Sequence, residues 1–130
     1  MIMESDELYD QRRKDIFDAY EKAIKSFGDM AKYIPKSVII EKAMTYNAPR
    51  FYVTYEIARR AISDMCKGRV PRASGDQKSK MYNEIYKRFK DVCSSQSSFV
   101  KLMDVLETET NSFYISKKQF SRIIYQQLRK

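Results

Sequence analysis

Histidine and tryptophan are missing from this chain altogether, and three glycines, three prolines and two cysteines are all it has among 130 residues. Each shortage excludes something. Without histidine there is no ready general base at neutral pH, and the commonest metal ligand is gone. The cysteines, Cys66 and Cys93, stand 27 residues apart and form no CxxC pair, so the clustered Cys and His of a zinc site are not available. Both fall on or beside apolar helix faces and are read as reduced core thiols in a cytosolic setting. Few glycines and prolines, with little strict apolar alternation, favour helices joined by short connections over a sheet. No apolar run approaches the length of about 18 residues that a transmembrane helix needs. The acidic opening MIMESDELYDQ does not read as a secretory signal or transit peptide. Gly-rich phosphate loops, GxSxG elbows, metal clusters and a distinctive carboxylate pair are also lacking, so neither an enzyme nor a cofactor is expected.

What is present is a helical domain that says one thing twice. Apolar residues make up 43%, aromatics 13% and charged residues 32%, a balance that excludes general disorder. Residues 39–62 align without a gap on residues 101–124 at a constant offset of 62. Phe51, Tyr52, Arg60 and Ile62 recur as Phe113, Tyr114, Arg122 and Ile124, and Thr54 becomes Ser116. An internal repeat marks the positions an architecture needs.

The expected fold is all-α, a single domain over 1–130 built as a bundle of about six helices. A long amphipathic helix spans about 5–27, where Tyr9, Ile16, Phe17, Tyr20, Ala23, Ile24 and Phe27 share one face and Gly28 ends it. Repeat unit one, 37–67, has a helix near 37–46 with Val38, Ile39, Ala43 and Met44 inward. An extended link follows around Pro49, then a helix near 55–67 capped by Thr54 with Ile57, Ala58, Ala61, Ile62 and Met65 inward. A basic loop and a spacer helix (about 78–93, with Met81, Ile85, Phe89 and Val92 on one face) fill 68–97. Repeat unit two, 98–130, repeats the plan with Phe99, Leu102, Val105 and Leu106, then Phe120, Ile123, Ile124 and Leu128. Ser116 with Gln119 gives its second helix a capping box.

Charge is unevenly spread. The net charge of +8 hides an N-terminal 30 residues with eight acids and five bases, and a remainder with nine acids and 20 bases. From 50 to 90, 11 bases meet four acids. A basic body favours polyanionic partners, against the plainer reading of a solvated Lys/Arg surface. Helix, link, capped helix is also the outline of a helix-turn-helix, whose second helix enters the major groove, although links of about eight residues exceed its usual turn of about three or four. The candidate nucleic-acid contacts are Arg59, Arg60, Lys67, Arg69, Arg72, Lys80, Lys87, Lys90 and Arg122. The Arg69–Arg72 loop, with Ser74 and Gly75, has the composition to wrap a phosphate. Arg60 and Arg122 are equally readable as repeated ion pairs or carbonyl caps. The Phe-Tyr pairs read as core plugs ahead of base-stacking surfaces.

Residues 48–68, APRFYVTYEIARRAISDMCKG, resemble a group of small uncharacterised α-helical proteins of gut Bacteroidetes and their phages. Those proteins carry a Pro-Arg-Phe-Tyr-Val-Ser/Thr segment, a helix with Arg, and a second Phe-Tyr-Ile-Ser/Thr segment near the C-terminus. The similarity covers about 38–124, and the second copy here, TNSFYIS, lacks the proline. The group has no established activity, so the resemblance implies no reaction. The expectation is therefore a non-enzymatic nucleic-acid-binding protein, DNA before RNA, held mainly through phosphates. The alternative is a phage or mobile-element structural protein that oligomerises through its acidic segment 1–28. The protein is expected in the cytoplasm, or in the virion if phage-encoded, with no membrane partner.

Overall fold

The computed structural model describes residues 5–73, 75–92 and 97–129. Ser74 and Cys93, named above, lie outside the described residues. Six α-helices follow in order: α1 Ser5–Phe27, α2 Lys36–Met44, α3 Tyr55–Cys66, α4 Asp76–Asp91, α5 Ser98–Leu106 and α6 Lys117–Leu128, with a short 3-10 turn, Gly28–Tyr33, after α1. There is no strand among the described residues, so the protein is all-α. No described helix is long and apolar enough to cross a membrane.

Local chemistry sets the boundaries. Gly28 and Gly68 take positive φ angles of 59° and 77°, which glycine adopts without a Cβ penalty. Thr54, Ser97 and Ser116 cap α3, α5 and α6 by accepting from the N–H groups of Ile57, Val100 and Gln119 at 3.2–3.3 Å. Pro35 immediately precedes α2, and its carbonyl accepts the first helical bonds from Val38 and Ile39.

The helices sort into two clusters. In the first, α1, α2 and α6 pack on one another; in the second, α3, α4 and α5 do. The helices of each repeat unit therefore part at the link: α2 goes to one cluster and α3 to the other, α5 to the second and α6 to the first. This corrects the helix-turn-helix-like expectation, because the two helices of a unit do not close on each other. The reason lies in the links. Extended backbone sends alternate side chains to opposite sides, so Phe51 and Val53 enter the second cluster while Tyr52, between them, enters the first. In the other link, Phe113 and Ile115 enter the first cluster and Tyr114 packs against the second.

The links pair where they cross. The Ala48 N–H donates to the Thr110 carbonyl at 2.7 Å and the Thr110 N–H returns the bond to the Ala48 carbonyl at 2.8 Å. Asn47 donates to the Glu109 carboxylate at 2.8 Å. Phe51 stacks on Tyr114 and Tyr52 on Phe113, with ring centroids 6.0 and 6.1 Å apart. Every one of these pairs exchanges equivalent residues of the two units, so the links meet around a local pseudo-two-fold axis. The missing proline in the second copy leaves this pairing intact. It coincides with a backbone difference: Tyr114 has φ 53°, in the left-handed region that aromatic residues seldom occupy.

The same offset of 62 extends beyond the aligned units. Ala19, Tyr20 and Ala23, buried in α1, correspond to Met81, Tyr82 and Ile85, buried in α4. Phe27 and Phe89 correspond too, each packed partly against its own cluster. The helix read as a spacer is thus the first helix of a second three-helix repeat. The repeats exchange their third helices.

Several inward assignments shift at helix ends. Val38, Ile57, Phe99 and Leu128 are 42–45% exposed, all in a first or last turn, where the helix surface curves away from its neighbours. Val92 is also exposed, just past the end of α4, and Leu8 rather than Tyr9 is buried in the first turns of α1. Cys66, read as a core thiol, closes α3 as an exposed free cysteine.

Candidate nucleic-acid interface

The expected contacts fall largely on one continuous stretch. Arg59, Arg60 and Lys67 lie on or at the end of α3, Arg69 and Arg72 in the following connection, and Lys80, Lys87 and Lys90 on α4. All are exposed, and α3 packs on α4. The turn that delivers Arg69 is firmly built. The Gly68 N–H donates to the Met65 carbonyl at 3.1 Å and the Arg69 N–H to the Asp64 carbonyl at 2.8 Å, the paired bonds of a Schellman closure around a glycine in the left-handed region. On α4, Lys80, Lys87 and Lys90 share the solvent face with Asn83, opposite the buried Met81, Tyr82 and Ile85.

Few of these cations are engaged. Arg59 approaches Glu56 at 3.4 Å in an exposed pair, and the Lys90 ammonium sits 5.1 Å from the Tyr86 ring centroid. Among the described residues, the side chains of Arg60, Lys67, Arg69, Arg72, Lys80, Lys87 and Arg122 have no hydrogen bond or ion pair. The repeated Arg60 and Arg122 are thus not the intra-unit ion pairs that formed the competing reading. Arg88, in the same basic stretch, behaves differently. It donates to Glu84 at 2.9 Å, to the Thr108 hydroxyl at 3.0 Å and to the Glu109 carbonyl at 2.8 Å, with its guanidinium 5.1 Å from the Phe51 ring centroid. It clamps α4 to the second link.

The Phe-Tyr pairs are core plugs. Phe51, Tyr52 and Phe113 are 0%, 8% and 6% exposed, too enclosed to stack on bases. The Tyr52 hydroxyl donates to the Asp15 carboxylate of α1. Burial, then that bond, raises the Tyr52 pKa above the usual phenol value.

Arg122 stands apart from the α3–α4 surface, since α6 belongs to the other cluster. It borders an open cavity of about 800 Å³ formed by the N-terminal turns of α1, the face of α6 and the start of α4. Arg12, Arg13 and Lys78 border the same cavity, with Asp76 as its acid and Tyr9 as an aromatic wall. Arg13 pairs with Asp10. Arg12 lies 4.9 Å from the Tyr9 ring centroid, and its Nε is buried without a hydrogen-bond partner. Burial lowers its pKa from the ordinary arginine value, which still leaves it charged at neutral pH. Composition alone could not mark Arg12. Its spacing does, because it sits four residues from Leu8 and from Ile16, both buried in α1, a cation on the inward stripe.

Compared with known proteins, the chain matches no protein-family model, no curated protein and no solved structure. The functional reading therefore rests on this chain's own residues.

Proposed function

We propose that this is a nucleic-acid-binding protein that grips the phosphate backbone of duplex DNA through the surface made by α3, α4 and their connection. One observation carries the reading: Arg60, Lys67, Arg69, Arg72, Lys80 and Lys87 are exposed there with no carboxylate partner among the described residues. Cations left unpaired on an exposed surface are free to replace condensed counterions on a polyanion. The burial of Phe51, Tyr52 and Phe113 speaks against these rings as base-stacking surfaces. The charge pattern thus favours sequence-tolerant contact with the backbone. Helix α1 does not act as a free oligomerising arm in this reading, because Leu8, Ile16, Ala19, Tyr20 and Ala23 are buried within its own chain.

A salt series on random-sequence duplex tests the proposal. Each neutralised phosphate contributes about 0.9 to the log–log slope, so on the order of five contacts gives a slope near −4.5. Arg69→Ala with Arg72→Ala, and separately Lys80→Ala with Lys87→Ala, should each lower that slope by roughly 1 to 2 without lowering stability. A flat slope, or no binding near 50 mM salt, ends the proposal.

A further inference from the structure

We propose that the cavity between α1, α6 and the start of α4 binds a phosphomonoester, free in solution or carried at the end of a nucleic-acid strand. Four cations border it, Arg12, Arg13, Lys78 and Arg122, of which Arg13 pairs with Asp10, against the single lining acid Asp76. A phosphomonoester carries about −1.5 to −2 charges near neutral pH, which this excess of cations matches better than the single charge of a backbone diester does. At about 800 Å³ the space suits a ligand of nucleotide size.

Arg12 is the sharpest part of the case. It occupies an inward position on α1 between Leu8 and Ile16, its guanidinium lies against Tyr9, and its buried Nε has no acceptor. Buried polar groups are satisfied as a rule, so an orphaned Nε marks a residue whose placement folding alone does not explain, while its side chain borders the cavity. A guanidinium is the donor array best matched to phosphate oxygens. Lys78 and Arg122 supply further charge and hold no ion pair among the described residues. The opening turn of α4 borders the cavity and has no side-chain cap, so the positive end of that helix also favours an anion.

The site belongs to one half of the molecule. Residues 5–13 give α1 its N-terminal turns and contribute Arg12 and Arg13. At the offset of 62 these positions fall between the end of α3 at Cys66 and the start of α4 at Asp76. The second repeat has Ser74 and Gly75 in sequence at the positions of Arg12 and Arg13.

Calorimetry with AMP, inorganic phosphate and adenosine tests the proposal on the full chain. AMP and phosphate should bind and adenosine should not. Arg12→Met and Arg122→Gln should each weaken AMP binding about tenfold or more, the loss expected when one charge-assisted bond is removed. Arg122 is exposed and makes no bond among the described residues, so its variant reads binding even if Arg12→Met perturbs the fold. Single strands with a 5′-phosphate or a 5′-hydroxyl separate the sources. A preference of about tenfold for the phosphorylated strand, lost in Arg122→Gln, assigns the strand end. AMP binding without that preference assigns a free phosphomonoester. Adenosine binding as tightly as AMP, no binding of either phosphate ligand, or unchanged affinity in both variants overturns the proposal. The free-ligand arm does not rest on the backbone-binding reading, whose salt slope is measured on unphosphorylated duplex, so failure of one is distinguishable from failure of the other.

Discussion

Where α6 meets α2 in the first cluster, Lys117 pairs with Glu41. Sixty-two residues earlier, where α3 meets α5 in the second cluster, Tyr55 stands edge-on to Phe99 with ring centroids 4.7 Å apart. The same position of the same repeat thus closes one cluster by charge and the other by aromatic contact. Other equivalent positions diverge likewise. Arg88 clamps α4 to the second link, while its counterpart in α1, Ser26, donates within its own helix to the Ala23 carbonyl at 2.6 Å. The Tyr52 hydroxyl holds Asp15, whereas the Tyr114 hydroxyl is 3.5 Å from the Thr110 hydroxyl. Most buried positions coincide across the repeats, from Ala19 and Met81 to Ile62 and Ile124, whereas Leu8 and Ile16 correspond to exposed Val70 and Lys78 and the side-chain bonds differ. Packing tolerates little change once helices interlock, whereas surface positions are free to take up separate roles.

The strongest way to test the crossed arrangement is to remove an aromatic plug. Phe51→Ala should cost about 3–5 kcal/mol, and Phe113→Ala a similar amount. The informative result is where each acts. Although Phe51 belongs to unit one with α2, its loss should accelerate amide exchange in α3, α4 and α5, and Phe113→Ala should do so in α1, α2 and α6. If each variant instead loosened both helices of its own unit, the crossed pairing of the clusters would be wrong.

The two tyrosines of the links should respond unequally. Tyr52→Phe removes a bond to a carboxylate at a buried site and should cost about 1.5 kcal/mol. Tyr114→Phe should change stability by less than about 0.5 kcal/mol, because its hydroxyl contact is long. The pH dependence carries the same contrast. Burial raises the pKa of Tyr52, and of Tyr20 and Tyr82, above the value of about 10 that the unfolded chain shows. Below that pH both states keep the proton and the contribution is complete. Above it the unfolded chain ionises first, so stability falls as pH rises. Urea midpoints between pH 9 and 11 should fall less steeply in Tyr52→Phe than in the parent.

Arg12→Met tests the one position where the inward stripe of α1 carries a charge. Methionine fills a similar volume between Leu8 and Ile16 and leaves no orphaned donor. Without ligand, the variant should gain about 1 kcal/mol, after allowing for the lost contact with Tyr9. A gain would show that Arg12 does not serve folding. A loss of similar size would place Arg12 among the structural arginines, beside Arg88.

Much of this was legible in the sequence, and the exceptions have physical causes. The six helices were legible because Gly28, Gly68, Thr54 and Ser116 are strong local signals that act within one turn. The pairing of helices was not, since sequence neighbours usually pack together and here they part. The links held the clue. Phe51, Tyr52 and Val53 are apolar without a break, as expected of extended chain buried on both sides, and two sides imply two cores. The full length of the repeat was also present as Tyr20/Tyr82, Lys25/Lys87, Phe27/Phe89 and Asp29/Asp91. These identities are scattered among changed residues, and only the matching burial makes them conspicuous. The cavity was hidden because Arg12, Lys78 and Arg122 come from three helices far apart in the chain. Exposure of Cys66 was hidden because an apolar stripe does not say where a helix leaves its core.

The smallest expected effect returns to residue 117. Lys117 and Glu41 keep 45% and 61% of their side-chain surface in contact with solvent. Water therefore screens most of their attraction, and Lys117→Ala should cost about 0.2–1 kcal/mol. That cost should shrink further in 0.5 M salt, where the screening length is only a few ångströms. Tyr55→Ala, at the equivalent place, should lose the edge-on contact with Phe99, worth about 0.5–1.5 kcal/mol beyond its burial, and salt should leave that loss nearly unchanged. Urea midpoints of the two variants at low and high salt measure both costs. If they responded alike to salt, ion pairing would not be what distinguishes the first interface, and the closing of the two clusters by different chemistry would have to be sought elsewhere along α2 and α6.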